Sequence, residues 1–162
     1  MEGRTSGGRV TMSILIRNAT LCDAPEICSL EQTFFSPDCN EGEIERRIRE
    51  GGSCFMVCQQ EGEITAYLYA KAVLDEADLW YIAVKEQYRN QGIGTRLLEA
   101  FLEEMSIKKI KCITLEVRKS NKSAIALYEK HKFQCISIRK DYYKNPMEDA
   151  VIYQYIETEE TV

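Results

Sequence analysis

The chain has 162 residues, which is within the usual range for one domain and long enough to bury a hydrophobic core. Apolar residues make up 44% and charged residues 29%, a balance that excludes disorder as the main state of the chain. The formal net charge of -5 argues against non-specific binding to nucleic acid, because contacts to phosphates require a basic surface.

The seven cysteines are scattered along the chain and lie mostly inside apolar stretches. This distribution is typical of reduced thiols in the cytoplasm, where cysteine serves as a small hydrophobic side chain. Since His131 is the single histidine, the sequence predicts no metal site. No segment approaches the ~20 apolar residues of a membrane span, and residues 1–12 contain no apolar signal core. We therefore expect a cytoplasmic protein that makes no membrane contact.

Residues 1–11 are polar and glycine-rich, which predicts a flexible extension before a single domain over residues 12–162. In that domain, hydrophobic periodicity and turn residues predict the order strand, helix, helix, three strands, helix, strand, helix and two strands. Strands are predicted at residues 14–17, 54–59, 64–73, 79–84, 113–117, 133–139 and 150–156. Helices are predicted at residues 24–34 with Asp23 at the N-cap, 43–50, 92–105, and from a cap at Ser120 or Asn121 to His131. This order indicates a mixed α/β or α+β fold.

A turn at residues 89–94 carries two glycines and lies between an apolar strand that ends at Val84 and a helix. Such a turn exposes unpaired backbone N–H groups at the positive end of the helix dipole, so it predicts an anion site. Gly92 and Gly94 allow the backbone to approach a phosphate closely. The spacing differs from the dinucleotide and P-loop motifs, and indicates neither a nicotinamide cofactor nor a nucleoside triphosphate.

The residues around this turn resemble the acetyl-CoA signature of the GNAT superfamily of N-acetyltransferases, [RQ]-x-x-G-x-[GA]. The resemblance implies the GNAT fold, a central, mostly antiparallel sheet of about seven strands flanked by about four helices, and acetyl-CoA as the acyl donor. It also implies that the backbone of the preceding strand pairs with the pantetheine arm. The cofactor-binding residues that it implies are Ile82, Ala83, Val84, Arg89, Asn90, Gln91, Gly92, Ile93, Gly94, Thr95 and Asn121.

Further strings, at residues 73–77, 115–129 and 141–150, resemble the bacterial ribosomal-protein alanine N-acetyltransferases within that superfamily. Together the matching strings fall between about Leu68 and Tyr153. One departure is that the family's early Pro-Trp-Ser element is represented only by Phe35-Ser36. Because that loop shapes the acceptor pocket, the departure affects the prediction of the acceptor and not that of CoA binding.

Two side chains are candidates for the chemistry. An amine must lose a proton before or during attack on a thioester, and the resemblance implies Glu116 as the base. It implies Tyr128 as the acid that protonates the departing thiolate. The structural alternatives are that Glu116 is a polar-face strand residue beside Arg118 and that Tyr128 packs against Ala124 and Leu127.

The resemblance implies direct transfer of acetyl to a protein N-terminal amine, with an alanine-starting ribosomal protein as one acceptor. Tyr142, Tyr143 and Glu148 resemble a loop of the family near the acceptor peptide. Two alternatives stay open: a lysine, polyamine or small amine as acceptor, and a CoA-binding module without turnover. The partner is expected to be an acceptor peptide or protein, and the chain a monomer or homodimer.

Overall fold

The computed structural model describes residues 13–158, so the extension predicted for residues 1–11 lies outside the described residues. Within residues 13–158, seven strands and four α-helices follow one another in the predicted order. The strands are β1 Ile14–Asn18, β2 Ser53–Gln60, β3 Glu63–Val73, β4 Glu76–Val84, β5 Cys112–Arg118, β6 Gln134–Tyr143 and β7 Glu148–Ile156. The helices are α1 Ala24–Phe34, α2 Glu41–Arg49, α3 Ile93–Ile107 and α4 Lys122–Lys130.

Several predicted element boundaries were wrong by one to four residues, and three of the differences have a clear local reason. Helix α2 begins two residues early because Oδ1 of Asn40 caps it, accepting from the Glu43 N–H at 3.1 Å. Strand β4 begins at Glu76 because it forms a hairpin with β3, where Val73 is opposite Glu76. Strand β6 continues to Tyr143, which is opposite Glu148 of β7.

Asp23 lies at the N-cap position of α1, as the sequence predicts, but its side chain has another partner. The carboxylate of Asp23 makes no capping hydrogen bond to α1. It accepts two hydrogen bonds from Arg17, at 2.7 and 2.9 Å, and one from the Thr20 N–H at 2.7 Å. A nearby guanidinium offers a stronger partner than the helix N–H groups, so Asp23 joins β1 to the turn before α1.

The strands form one mixed sheet in the order β1-β2-β3-β4-β5-β7-β6. Every neighbouring pair is antiparallel except β4 and β5, which are parallel. Strands β4 and β5 pair only from Glu76 to Leu79 on β4. Trp80 follows as an extra residue in β4, since Leu79 is opposite Ala70 and Tyr81 is opposite Tyr69. Such a bulge bends a strand and increases its twist, and it coincides here with the end of the β4–β5 pairing.

Two hydrophobic cores cover the two faces of the sheet. Alternate residues of β2 fall in different cores, Met56 on the side of α3 and Val57 on the side of α1 and α2. On the α3 side, β5 buries Ile113, Leu115 and Val117, and its intervening side chains face the other way. At the point where β4 and β5 separate, the two faces of the sheet therefore carry different side chains.

A buried ion pair joins α1 and α2 on the second face. The Arg47 guanidinium donates to both oxygens of the Glu31 carboxylate at 2.9 Å, and the Glu31 side chain has no exposed surface. The Tyr67 hydroxyl donates to the same carboxylate at 3.3 Å. The guanidinium also lies over the rings of Tyr69 and Tyr81, 5.3 and 5.6 Å from their centroids. The ion pair therefore packs against β3 and β4 through the rings of Tyr69 and Tyr81.

Replacement of Arg47 by Met should lower the free energy of unfolding by about 3–5 kcal/mol, because it leaves the Glu31 carboxylate buried without a cation. The double variant Glu31→Leu/Arg47→Met should recover most of that loss, since a matched apolar pair needs no compensating charge. Urea unfolding of the two variants measures both effects. A single variant as stable as the wild type would contradict this account.

Candidate active site

A cleft of about 440 Å³ opens between the end of β4 and the starts of α3 and α4. Ten of the eleven residues predicted to bind the cofactor line it. They are Ile82, Ala83, Val84, Arg89, Asn90, Gly92, Ile93, Gly94, Thr95 and Asn121. Gln91 is not among the lining residues, and its side-chain amide donates to the Gln87 carbonyl at 3.4 Å.

The turn before α3 has the geometry of an anion cradle. Gly92 is the N-cap with a φ of 77°, a left-handed conformation that glycine adopts without strain, and Asn90 has a φ of 59°. The first bond of the helix runs from the Arg96 N–H to the Gly92 carbonyl. The N–H groups of residues 93–95 therefore have no acceptor within the helix and are available to an anion.

The Arg89 side chain folds back over the cleft. Its Nε donates to the Val84 carbonyl at 3.1 Å, and its guanidinium lies 5.1 Å from the centroid of the Phe34 ring. Arg89 thus connects the turn to the end of β4 and to the end of α1.

Loss of pairing after Leu79 leaves one edge of β4 open. On its β5 side, the backbone of residues 80–84 has no strand partner within the part of the chain that the structure describes. An extended amide chain can pair with such an edge in the manner of an added strand.

A second cavity, of about 600 Å³, lies along β4 on the other face of the sheet. Glu116 lines it from β5, and aromatic and charged side chains from three other strands complete its wall. The lining residues are Asp78, Leu79, Trp80, Tyr81, Thr114, Leu115, Glu116, Arg139, Tyr142, Tyr143 and Ile152. Because Leu79–Tyr81 line this cavity and residues 82–84 line the cleft, the two cavities are neighbours along β4.

Two side chains of β6 surround the Glu116 carboxylate. The Arg139 guanidinium lies 3.0 Å from Glu116 Oε1, and the Glu116 side chain is 30% exposed. A hydrogen bond to Glu116 raises the pKa of Tyr142 above its usual value. Burial raises the pKa of Tyr143 to about 12, and the charge of Glu116 adds to this shift. The residue predicted as the base is therefore at the cavity surface and accessible to an amine.

Tyr128, the residue predicted as the acid, is buried and lines neither cavity. Its ring packs against Phe133 and Tyr153, with centroids 5.6 and 6.4 Å away. Ala124 and Leu127, on the same helix, line the cleft, so Tyr128 lies on the neighbouring face of α4. Burial raises the pKa of Tyr128, and the Tyr143 phenol adds a smaller upward shift.

Asn121 holds the start of α4. Its Oδ1 accepts from the Ala124 N–H at 3.2 Å, which is the capping interaction predicted at this position. Asn121 also lines the cleft.

Several residues that line the two cavities were not predicted from the sequence. Phe34, Tyr88 and Ser123 line the cleft, and Trp80, Tyr81 and Arg139 line the cavity. Because successive side chains of a strand point to opposite faces, the sequence of β4 could have placed Tyr81 on the face opposite to Ile82. Phe34 and Arg139 reach the site from distant parts of the chain, and no local pattern marks them.

Phe35 lies where the two cavities adjoin. It lines the cleft, and its ring packs on Tyr81 with centroids 4.7 Å apart. The residue that stands in for the expected tryptophan therefore still contributes an aromatic ring between the two cavities.

The comparisons with known proteins agree with this architecture. Residues 24–133 match the acetyltransferase (GNAT) family. The [ribosomal protein bS18]-alanine N-acetyltransferase of Escherichia coli K12 is 43% identical over 95 residues, which cover 57% of this chain and 64% of that protein. The N-alpha-acetyltransferase of Sulfurisphaera tokodaii is 30% identical over 150 residues, covering 85% of this chain and 89% of that protein. The crystal structure of the Escherichia coli ribosomal-protein-S18-alanine N-acetyltransferase superimposes with a TM-score of 0.80 and 31% identity, covering 93% of this chain and 99% of the other.

This chain belongs to the acetyltransferase (GNAT) family. The seven-stranded mixed sheet with four helices confirms the fold that the sequence predicts. No helix of residues 13–158 is both long and apolar enough to cross a membrane.

Replacement of Gly94 tests the cleft as the CoA site. A Cβ at Gly94 would lie 3.7 Å from Leu127 Cδ2 and 3.8 Å from Val84 Cγ2, which are ordinary contacts. Gly94→Ala should therefore bind CoA like the wild type, whereas Gly94→Leu should fill the cleft and weaken binding more than about tenfold. Calorimetric titration with CoA measures the affinities. Equal affinity of the two variants would show that CoA binds elsewhere.

Proposed function

We propose that the protein transfers acetyl from acetyl-CoA to the α-amine at the N-terminus of a protein. The observation that carries the proposal is the adjacency of two cavities at the parting of β4 and β5. One has a phosphate cradle and the other has a carboxylate. An acyl donor and an amine could meet there from opposite faces of the sheet.

The residues of the cleft suit CoA. The N–H groups at the start of α3 would bind its pyrophosphate, and the open edge of β4 would pair with the amides of its pantetheine arm. Acetyl-CoA would supply an activated thioester. The glycines at 92 and 94 keep the turn free of side chains that would compete for this space.

Glu116 is the proposed base. An N-terminal amine has a pKa of about 7.7–8.0, so much of it is protonated at neutral pH and a carboxylate can assist the loss of that proton. The cavity position of Glu116 lets an amine, or one bridging water, reach the oxygen that Arg139 leaves available.

Tyr128 is the proposed acid. Its raised pKa keeps the phenol protonated throughout the physiological range, so a proton is always available. Transfer from an unshifted phenol to a thiolate is uphill by about 2 kcal/mol, and the raised pKa increases that cost. The cost for the unshifted phenol is small beside the ~8 kcal/mol or more by which enzymes reduce barriers.

The proposed acceptor follows from the similar proteins. The names of the relatives specify alanine of ribosomal protein bS18 in one case and an α-amine in the other. We propose an N-terminal α-amine for this chain, with an alanine-starting ribosomal protein as one acceptor. All seven cysteines lie in the described residues and are free, which supports a cytoplasmic location.

A panel of peptides with open N-termini tests the acceptor class. With acetyl-CoA, the protein should release free CoA and acetylate the α-amine of at least one peptide. A matched panel with blocked N-termini and internal lysines should not react. Mass spectrometry that located acetyl only on lysine or on a small amine would contradict the proposal.

Glu116→Gln should reduce kcat by about 10²–10⁴, because the amide cannot accept the amine proton, while the affinity for acetyl-CoA stays unchanged. Glu76→Gln, on the exposed start of β4, is the matched control and should retain full turnover. Arg139→Gln separates the two roles of Glu116, since it removes the ion pair and keeps the carboxylate. If Arg139→Gln lost as much kcat as Glu116→Gln, the ion pair and not the base would explain the loss.

Tyr128→Phe should keep the melting temperature, because the ring contacts to Phe133 and Tyr153 remain, and should lower kcat by about 10²-fold or more. Steady-state turnover together with a thermal melt measures both quantities. Full turnover in this variant would assign Tyr128 to packing alone.

A further inference from the structure

The Arg118 side chain contacts four groups within residues 143–148, where β6 turns into β7. Nη1 donates to the Pro146 carbonyl at 3.1 Å and to Glu148 Oε2 at 3.3 Å. Nη2 donates to the Lys144 carbonyl at 3.3 Å. The guanidinium also lies 4.4 Å from the centroid of the Tyr143 ring. One side chain of β5 therefore fixes two backbone carbonyls, one carboxylate and one ring.

Glu148 carries this connection to the turn before α4. Its Oε1 accepts from the Ser120 N–H, and hydrogen bonds from Ser120 followed by the Arg118 guanidinium lower the pKa of Glu148. The Arg118 carbonyl accepts from the Asn121 N–H at 2.9 Å. The loop is thus joined to the end of β5 by side chains as well as by strand pairing.

The strand pairing around this loop is irregular, which makes the side-chain contacts more important. The register of β6 against β7 shifts between Arg139 and Tyr143. Beyond it, pairing resumes at only one position, Tyr143 with Glu148. Among the described residues, the carbonyls of Lys144 and Pro146 accept these hydrogen bonds from Arg118 alone.

This loop borders the cavity that contains Glu116. Tyr143 lines the cavity, and the Arg118 guanidinium lies against the Tyr143 ring. Arg118 itself lines neither the cavity nor the CoA cleft. Its effect on the cavity must therefore pass through Tyr143 and the loop.

We propose that Arg118 is a positioning residue that, through its contacts to residues 144–148, holds Tyr143 in place as part of the wall of the acceptor site, and so sets the affinity for the acceptor peptide and not for acetyl-CoA. The proposal rests on the proposed function, because it takes the Glu116 cavity as the place where the acceptor binds. The turn that forms the phosphate cradle precedes α3, and the Arg118 side chain does not line the cleft; Arg118 meets the cleft residue Asn121 only through its backbone carbonyl, which Arg118→Lys retains.

Lysine cannot replace arginine in this role. A planar guanidinium directs its N–H groups to several acceptors at once and stacks on a ring, whereas an ammonium is a point charge on a flexible stem. Arg118→Lys therefore keeps the charge near Glu148 and removes the simultaneous contacts to the loop.

The experiment compares Arg118→Lys with Arg17→Lys, the same chemical change at a partly buried arginine that makes four hydrogen bonds on the edge strand β1. With a reactive alanine-starting peptide from the panel as probe, Arg118→Lys should raise the acceptor KM about tenfold. Its kcat and its calorimetric Kd for acetyl-CoA should stay within about twofold of the wild type. Arg17→Lys should leave all three quantities unchanged.

Hydrogen exchange on the same variants gives a readout that does not depend on turnover. Arg118→Lys should speed exchange of the amides at residues 143–149 and leave β2 and β3 unchanged. If the wild type acetylated no peptide, the proposed function would fail, and unchanged exchange at residues 143–149 would separately overturn the role of Arg118. With an active wild type, an unchanged acceptor KM, or an equal loss of acetyl-CoA affinity, would also overturn it.

Discussion

The parting of β4 and β5 after Leu79 is the constraint on which the rest of the site depends. Parallel pairing holds the two strands together over Glu76–Leu79, and the extra residue Trp80 then re-aims β4. Were pairing to continue, the β4 edge would be occupied by β5 and the Glu116 backbone would be covered. The bulge thus costs a few strand hydrogen bonds. It leaves the edge of β4 open and accessible from both faces of the sheet.

The change from one cavity to the other falls within β4. Tyr81 and Ile82 are adjacent in sequence and point to opposite faces of the sheet; Tyr81 lines the Glu116 cavity and Ile82 lines the cleft. The buried pair of Glu31 and Arg47 supports the Tyr81 side, where the guanidinium lies against the ring. The first bond of α3, from Arg96 to Gly92, fixes the cradle on the other side.

Local signals in the sequence were sufficient for the order of strands and helices and for the glycine turn before α3, whereas the GNAT fold was implied by the family resemblance. The alternation around Glu116 and the turn at Gly92 and Gly94 each depend on neighbours within a few residues, so pattern and turn chemistry identify them. Arg139 and Phe34 belong to the site only because distant elements meet there, and Gln91 leaves it through a hydrogen bond to Gln87. The bulge at Trp80 was equally invisible, since it is defined by register against β3.

The two proposed catalytic groups lie in contrasting surroundings. Glu116 is partly exposed beside the Arg139 guanidinium and lines the cavity, where an arriving amine can reach it. Tyr128 is enclosed by Phe133 and Tyr153, where burial raises the pKa of the phenol and preserves its proton. Tyr143 is coupled electrostatically to both groups. The charge of Glu116 raises the pKa of Tyr143, and the Tyr143 phenol raises the pKa of Tyr128. Because the Arg118 guanidinium lies against the Tyr143 ring, the position of that ring bears on this coupling as well as on the shape of the cavity.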